Sequence, residues 1–196
     1  MNKVFGILYA SRESQTRHIA EHISQTLRER SLEADVIDVR EPEKIDLERY
    51  SAVILAASVH AGKHESEMLT FIKAHRSRLL EIPSVFLSVS LSEAGVERSG
   101  PETEEHRRFV ADVRKLEDAL ISNTGWPPER FKAVAGALPY SKYNWFVRFV
   151  MKRIAQKSGG DTDTSHDYEY TDWVALEKFV TEFADNAVLC EPDRAI

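Results

Sequence analysis

Apolar and polar positions alternate along the chain in blocks that predict strands and helices in turn. Val4-Phe5-Gly6-Ile7-Leu8-Tyr9 is a continuous apolar run of strand length, the pattern of a strand covered on both faces. Ile19, Ile23 and Leu27 then recur every four residues with Ala20 beside them, which marks one face of a helix. Ala34 to Val39 reads as a second strand, and Ala52 to Ala57 as a third with no polar break. Met68, Leu69, Ile72, Leu79 and Leu80 outline a second helix. Ser84 to Val89 is a fourth strand, introduced by Pro83 at a position where a strand can begin. Phe109, Val113, Leu116, Leu120 and Ile121 fit a third helix, Ala133 to Leu138 a fifth strand, and Trp173 to Phe183 a last helix. Five buried strands alternating with helices define an α/β fold on a parallel sheet with right-handed crossovers. In such a sheet ligands bind beyond the carboxyl ends of the strands, where the strand order reverses. The rhythm breaks once, at an insert of roughly 30 residues, 139–168, far beyond the usual connection.

Composition narrows the classes. A formal charge of −6 provides no dominant basic field and argues against nucleic acid as a partner. Cys190 is the single cysteine, so neither an internal disulfide nor a thiolate metal site is available. No apolar run approaches the roughly 18 residues that cross a bilayer, and the first strand starts within a few residues of Met1. A cytoplasmic protein is expected, with one domain over 1–189 and a C-terminal tail at 190–196.

Candidate chemistry sits in the loops after the strands. Ser11-Arg12-Glu13-Ser14-Gln15-Thr16 follows strand one and enters a helix. Three hydroxyls and the N–H groups of a helix start suit a monophosphate, but on this loop alone a plain helix cap at Ser14 fits equally well. The residues Gly-Lys-Ser/Thr of a triphosphate loop and the glycines of a dinucleotide fingerprint are missing. Ser58-Val59-His60-Ala61-Gly62-Lys63-His64 follows strand three, with Gly62 allowing a close backbone approach. Ser88-Val89-Ser90-Leu91-Ser92 follows strand four and offers hydroxyls and amides. His60 and His64 are candidate acids or solvated loop histidines, and a metal site is not expected.

The insert carries Lys142, Arg148, Lys152, Arg153 and Lys157 with no acidic residue from Tyr140 to Lys157. Tyr143, Trp145, Phe146, Phe149, Val150, Met151 and Ile154 are interleaved. On helical spacing this is a basic amphipathic segment, suited to an anionic membrane surface or an acidic ligand, and equally to a packing helix with a solvated basic face. Gly159-Gly160 would end it, and Asp161-Thr162-Asp163-Thr164 would turn the chain beyond it.

Four stretches carry a resemblance: Ser11 to Arg17, Ala57 to His64, Ala135 to Tyr140, and Ser158 to Thr164 extended by Tyr170-Thr171-Asp172-Trp173. With them the chain resembles the flavodoxin-like, quinone-dependent protoporphyrinogen IX dehydrogenases of bacteria over nearly its whole length. The first stretch is common to flavodoxins; the last two, with Trp145 and the basic stretch, are specific to this family. The resemblance implies a flavodoxin-like three-layer sandwich, a five-stranded parallel sheet of order 2-1-3-4-5 with its insert after or within strand five. It implies FMN, with Ser11, Arg12, Glu13, Ser14, Gln15 and Thr16 at the phosphate, and Ser58, Val59, His60, Ala61, Gly62, Ser88, Val89, Ser90 and Leu91 around the ring. It implies a porphyrinogen substrate and a membrane quinone, beside which the basic amphipathic stretch 140–157 is expected to make peripheral membrane contact, and a homo-oligomer is possible. No catalytic side chain is singled out. Ser14 stands where the family usually has glycine, and His60-Ala61 where an arginine–aromatic pair is common. A one-electron carrier, an NAD(P)H-dependent flavin or quinone reductase and a flavin-free scaffold are the competing readings.

Overall fold

A strand buried on both faces needs a layer of helices on each side, and the chain supplies two pairs of amphipathic helices for that purpose. The computed structural model describes residues 4–12, 14–90, 93, 102–138, 163, 165 and 168–189. Glu13, Leu91, Ser92, the insert from 139 to 162, Cys190 and the tail 190–196 lie outside the described residues. In chain order the elements are β1 (Val4–Ala10), α1 (Ser14–Glu29), β2 (Glu33–Asp38), β3 (Ala52–His60), β4 (Lys63–His64), α2 (Ser66–Leu79), β5 (Ser84–Ser90), α3 (Glu104–Thr124), β6 (Arg130–Ala135), β7 (Ala137–Leu138), β8 (Tyr168–Glu169) and α4 (Trp173–Leu189).

The sheet runs β2-β1-β3-β5-β6 with all four neighbouring pairs parallel. Counting only these five strands, the order is 2-1-3-4-5, as expected. One face packs Phe5, Ile7, Ile54 and Leu87 against Ile19, Ile23 and Leu27 of α1 and Phe179, Val180 and Phe183 of α4. The other packs Leu8, Val53, Leu55 and Phe86 against Met68, Phe71 and Ile72 of α2 and Leu120 of α3. Each such side chain, fully buried, stabilises the fold by roughly 1.5–3 kcal/mol. Gly6 is required by packing, because a Cβ there would lie 2.7 Å from the ring of Tyr50. Helix α3 opens on Thr103, whose hydroxyl accepts from the amide of His106 at 3.1 Å, and closes on Gly125 in the left-handed conformation.

Three differences from the sequence reading bear on the site. The third strand does not stop at Ala57. It continues to His60, turns on Ala61 (φ 50°) and Gly62 (φ 74°), and returns as β4 in an antiparallel hairpin. Two central residues at positive φ make a tight hairpin turn whose twist matches its strands. The fifth strand is Arg130–Ala135, earlier than expected. As an edge strand it is only half covered, so it begins with alternating polar residues that an apolar-run pattern misses. The charged ends of Arg130 and Lys132 lie over the ring of Phe179, at 4.3 and 5.8 Å from its centre. At Gly136 the chain leaves the sheet, and Ala137–Leu138 pairs antiparallel with Tyr168–Glu169 in a separate ribbon.

Candidate functional site

The strand order reverses between β1, which has β2 on one side, and β3 on the other. The carboxyl ends of β1 and β3 are therefore where a ligand is expected. Ser11 is buried directly after β1, Arg12 is exposed, and α1 begins at Ser14. The first turn of any helix leaves its N–H groups without intrahelical acceptors and carries the positive end of the macrodipole. In that turn Thr16 is 1% exposed, and its Oγ1 is buried with no hydrogen-bond partner. A buried hydroxyl left unsatisfied costs about 1–3 kcal/mol; an anion at the helix start would satisfy it. The residues present thus fit a phosphate group.

Gln15, expected at the phosphate, turns its side chain elsewhere. Its amide donates to Glu169 Oε1 at 2.9 Å and to Thr171 Oγ1 at 3.0 Å. The Thr171 hydroxyl donates in turn to the carbonyl of Ala135 at 2.9 Å. These bonds tie the loop after β1 to the end of β6 and to the ribbon where the insert rejoins the core.

Ser58, Val59 and His60 lie within β3, and Ala61 and Gly62 form the hairpin turn rather than a loop. Among the described residues nothing lies within 4 Å of where a Gly62 Cβ would stand. Its positive φ suits glycine there. His64 is neither solvated nor placed as an acid. It is 6% exposed, packs edge-on to Phe86 at 5.0 Å, and shares a 2.9 Å hydrogen bond between Nε2 and Ser88 Oγ. Burial pushes its pKa down to about 4, so the ring is neutral at pH 7. Ser88, Val89 and Ser90 are buried in β5 rather than beyond it. The Ser88 hydroxyl is engaged with His64, while Ser90 at the strand end accepts from the amide of Glu93 at 3.4 Å.

The sequence reading missed Glu65. It is 3% exposed, and its carboxylate is paired with Arg12 Nε at 3.0 Å. Its other oxygen lies 3.4 Å from Ser58 Oγ and 3.4 Å from His60 Nε2. The His60 contact has ion-pair distance without hydrogen-bond alignment, for Nε2 counts among the buried atoms without a hydrogen-bond partner. Nothing local in His64-Glu65-Ser66-Glu67 signals this burial, since charged residues beside a helix start are normally solvated. The partners come from 53, 7 and 5 residues away.

A separate cleft of about 530 Å³ opens over the ends of β1 and β2, lined by Tyr9, Arg17, Glu21, Val36, Asp38, Arg40 and Glu41. Most of its charges pair within it, Arg17 with Glu21 at 2.8 Å and Arg40 with both oxygens of Asp38, while Glu41 pairs with Lys44 outside it at 3.0 Å. Among the described residues no group of three or more His, Cys, Asp and Glu side chains is placed to hold a metal. No helix among them is long and apolar enough to cross a membrane.

A parallel sheet of this order, with helices on both faces, is the architecture of the flavodoxins. A family model described as a flavodoxin domain matches residues 6–165, and the chain belongs to that family. Within it, the chain is 36% identical over 178 residues to a protoporphyrinogen IX dehydrogenase [quinone] of Escherichia coli strain K12, covering 91% of this chain and 93% of that one. It is 30% identical over 179 residues to a protein of the same name from Leishmania major, covering 91% and 73%. Among solved structures, oxidised flavodoxin 1 from Bacillus cereus superposes with a TM-score of 0.50 at 16% identity, over 93% of this chain and 98% of that one. A short-chain flavodoxin associated with a bacterial microcompartment gives 0.51 at 12%, over 94% and 99%. At such identities these two speak for the fold alone.

Proposed function

We propose that this protein is an FMN-dependent protoporphyrinogen IX dehydrogenase that passes electrons to a quinone. The observation that carries the reading is near full-length likeness to enzymes of that name, 36% identical over 91% of the chain. The orphaned Thr16 hydroxyl at the start of α1 agrees with it.

When bound, flavin supplies the hydride-accepting chemistry; the protein supplies position, dielectric and charge. The helix start, Ser11 and the Thr16 hydroxyl hold the phosphate, and Arg12 adds positive charge beside it. The hairpin Ser58–Gly62 and the end of β5, with Ser90 and Leu91, border the ring. His64 and Ser88 support that edge from beneath rather than touching the ligand. The ribbon that flanks the insert is bonded to the phosphate loop through Gln15, which supports reading the basic aromatic segment 140–157 as part of the same site. Its five cations suit the two propionates of a porphyrinogen and an anionic bilayer, where the quinone resides. The protein is accordingly read as peripheral on the inner face of the cell membrane, with residues 1–189 forming one domain.

The test is a visible spectrum of the purified protein, followed by addition of protoporphyrinogen IX with a menaquinone analogue. A flavin spectrum and quinone-dependent porphyrin formation are expected. Flavin without porphyrin formation would leave a carrier or an NAD(P)H-dependent reductase; a protein that cannot be loaded with FMN sinks every redox reading.

A further inference from the structure

A carboxylate taken out of water is costly unless something nearby requires it. Glu65 is 3% exposed at the carboxyl end of β3. Its cationic partner, Arg12, belongs to the phosphate loop and is itself 66% exposed, so solvent screens the positive end of the pair more than the negative. The remaining contacts, Ser58 and His60, are two of the residues proposed to border the flavin ring. The Glu65 carboxylate therefore lies in direct contact with two of the ring-bordering residues and with the phosphate-binding loop.

From this arrangement we infer that Glu65 is a positioning residue with two linked effects. It holds Arg12, and with it the phosphate loop, against the β3–β4 hairpin. Its charge also opposes the gain of negative charge by the bound flavin, making the reduced cofactor a stronger electron donor. The second effect follows from electrostatics in a water-poor site, where a charge acts over several ångströms with little screening. It suits an enzyme that must deliver electrons onward. This inference rests on the flavin reading above and deepens it.

The experiment measures the two-electron midpoint potential of the bound flavin, by dye equilibration, together with FMN affinity by fluorescence quenching. The proteins are the wild type, Glu65→Gln, Glu65→Met and Glu65→Asp. Both charge-free variants should favour reduced over oxidised FMN at least tenfold more than the wild type does, a rise of about 30 mV for a two-electron couple. Glu65→Asp, which keeps the charge, should stay near the wild-type potential. Gln is nearly isosteric, and Met removes the desolvation cost altogether, so either one that folds decides the matter. An unchanged potential in both charge-free variants, with or without loss of FMN affinity, would leave at most the clamp and overturn the linkage of the two effects. A wild-type protein that binds no FMN defeats the flavin reading instead, which keeps the two failures distinct.

Discussion

Among the described residues, none bonds the hydroxyl of Thr16. Its Oγ1 is buried without a partner in the first turn of α1, where many threonines would face water or cap the turn. Replacing it by valine, nearly the same shape, removes an unsatisfied polar atom and should stabilise the cofactor-free protein by about 1 kcal/mol. The same change should weaken FMN binding about tenfold or more, because one donor to the phosphate is gone. Urea unfolding of the apoprotein and an FMN titration give the two signs; a variant that loses stability and keeps its affinity would show that the hydroxyl is structural. His64 allows a second residue-level expectation. Its folded pKa of about 4 lies below the ordinary 6.5. Above pH 6.5 the ring is neutral in both folded and unfolded chains and adds no pH dependence. Between about 6.5 and 4 the unfolded chain takes up a proton that the folded chain refuses, so stability falls as the pH falls. The loss amounts to something on the order of 3 kcal/mol across the window. His64→Gln keeps a hydrogen-bonding partner for Ser88 and cannot titrate. Urea midpoints at pH 7, 5.5 and 4.5 should therefore fall less steeply for the variant than for the wild type, and parallel curves would rule out the histidine as the cause.

At the level of elements, legibility in the sequence depends on how each segment is buried. Central strands β1, β3 and β5 are covered on both faces, so their residues form apolar runs that can be read directly. Strand β6, at the edge, alternates, and its apolar half alone places it three residues late. The two-residue strands β4, β7 and β8 are too short to carry any period, and their pairing is decided by contacts elsewhere. The candidate phosphate loop is picked out by its hydroxyl residues at a helix start, a local pattern that it shares with a plain cap. Glu65 is not, because its burial depends on Arg12, 53 residues away. The hairpin linking β3 to β4 offers a local test of this geometry. Ala61 adopts φ 50°, a left-handed conformation that costs an L-residue about 1 kcal/mol or more, beside Gly62 at φ 74°. Ala61→Asn places a residue tolerant of that region before the glycine, the preferred pair for such turns. It should stabilise the protein by about 1 kcal/mol, a gain of about 2–4 °C in thermal midpoint for a chain of this size. Gly62→Val should lower the midpoint by at least as much. Equal midpoints for all three proteins would mean that the turn has another conformation in solution.

For the whole molecule the proposed contact with an anionic membrane has to be reconciled with a formal charge of −6. Long-range attraction cannot come from the net charge, which repels it. On the proposed function it would come from the stretch 140–157, whose sequence holds five cations and no acidic residue among aromatic and aliphatic residues. Each Lys or Arg held near an anionic surface contributes about 1 kcal/mol, and the attraction fades within a Debye length of roughly 8 Å at physiological salt. The rest of the chain, more acidic still, would then be held away from the bilayer, so the charge pattern orients the protein as well as attracting it. Three consequences can be measured by vesicle sedimentation. The protein should bind vesicles rich in phosphatidylserine, leave neutral phosphatidylcholine vesicles unbound, and dissociate from the former as salt is raised toward 0.5 M, a concentration at which the Debye length shrinks to roughly 4 Å. Replacing Lys142, Arg148, Lys152, Arg153 and Lys157 by glutamine should weaken binding by more than a thousandfold, as about 5 kcal/mol of attraction is removed. The FMN affinity of that variant should be unchanged if the segment serves the membrane, and its KM for the porphyrinogen should rise if the same cations also receive the propionates. Vesicle binding that survives the fivefold replacement would transfer the membrane contact to another face of the protein.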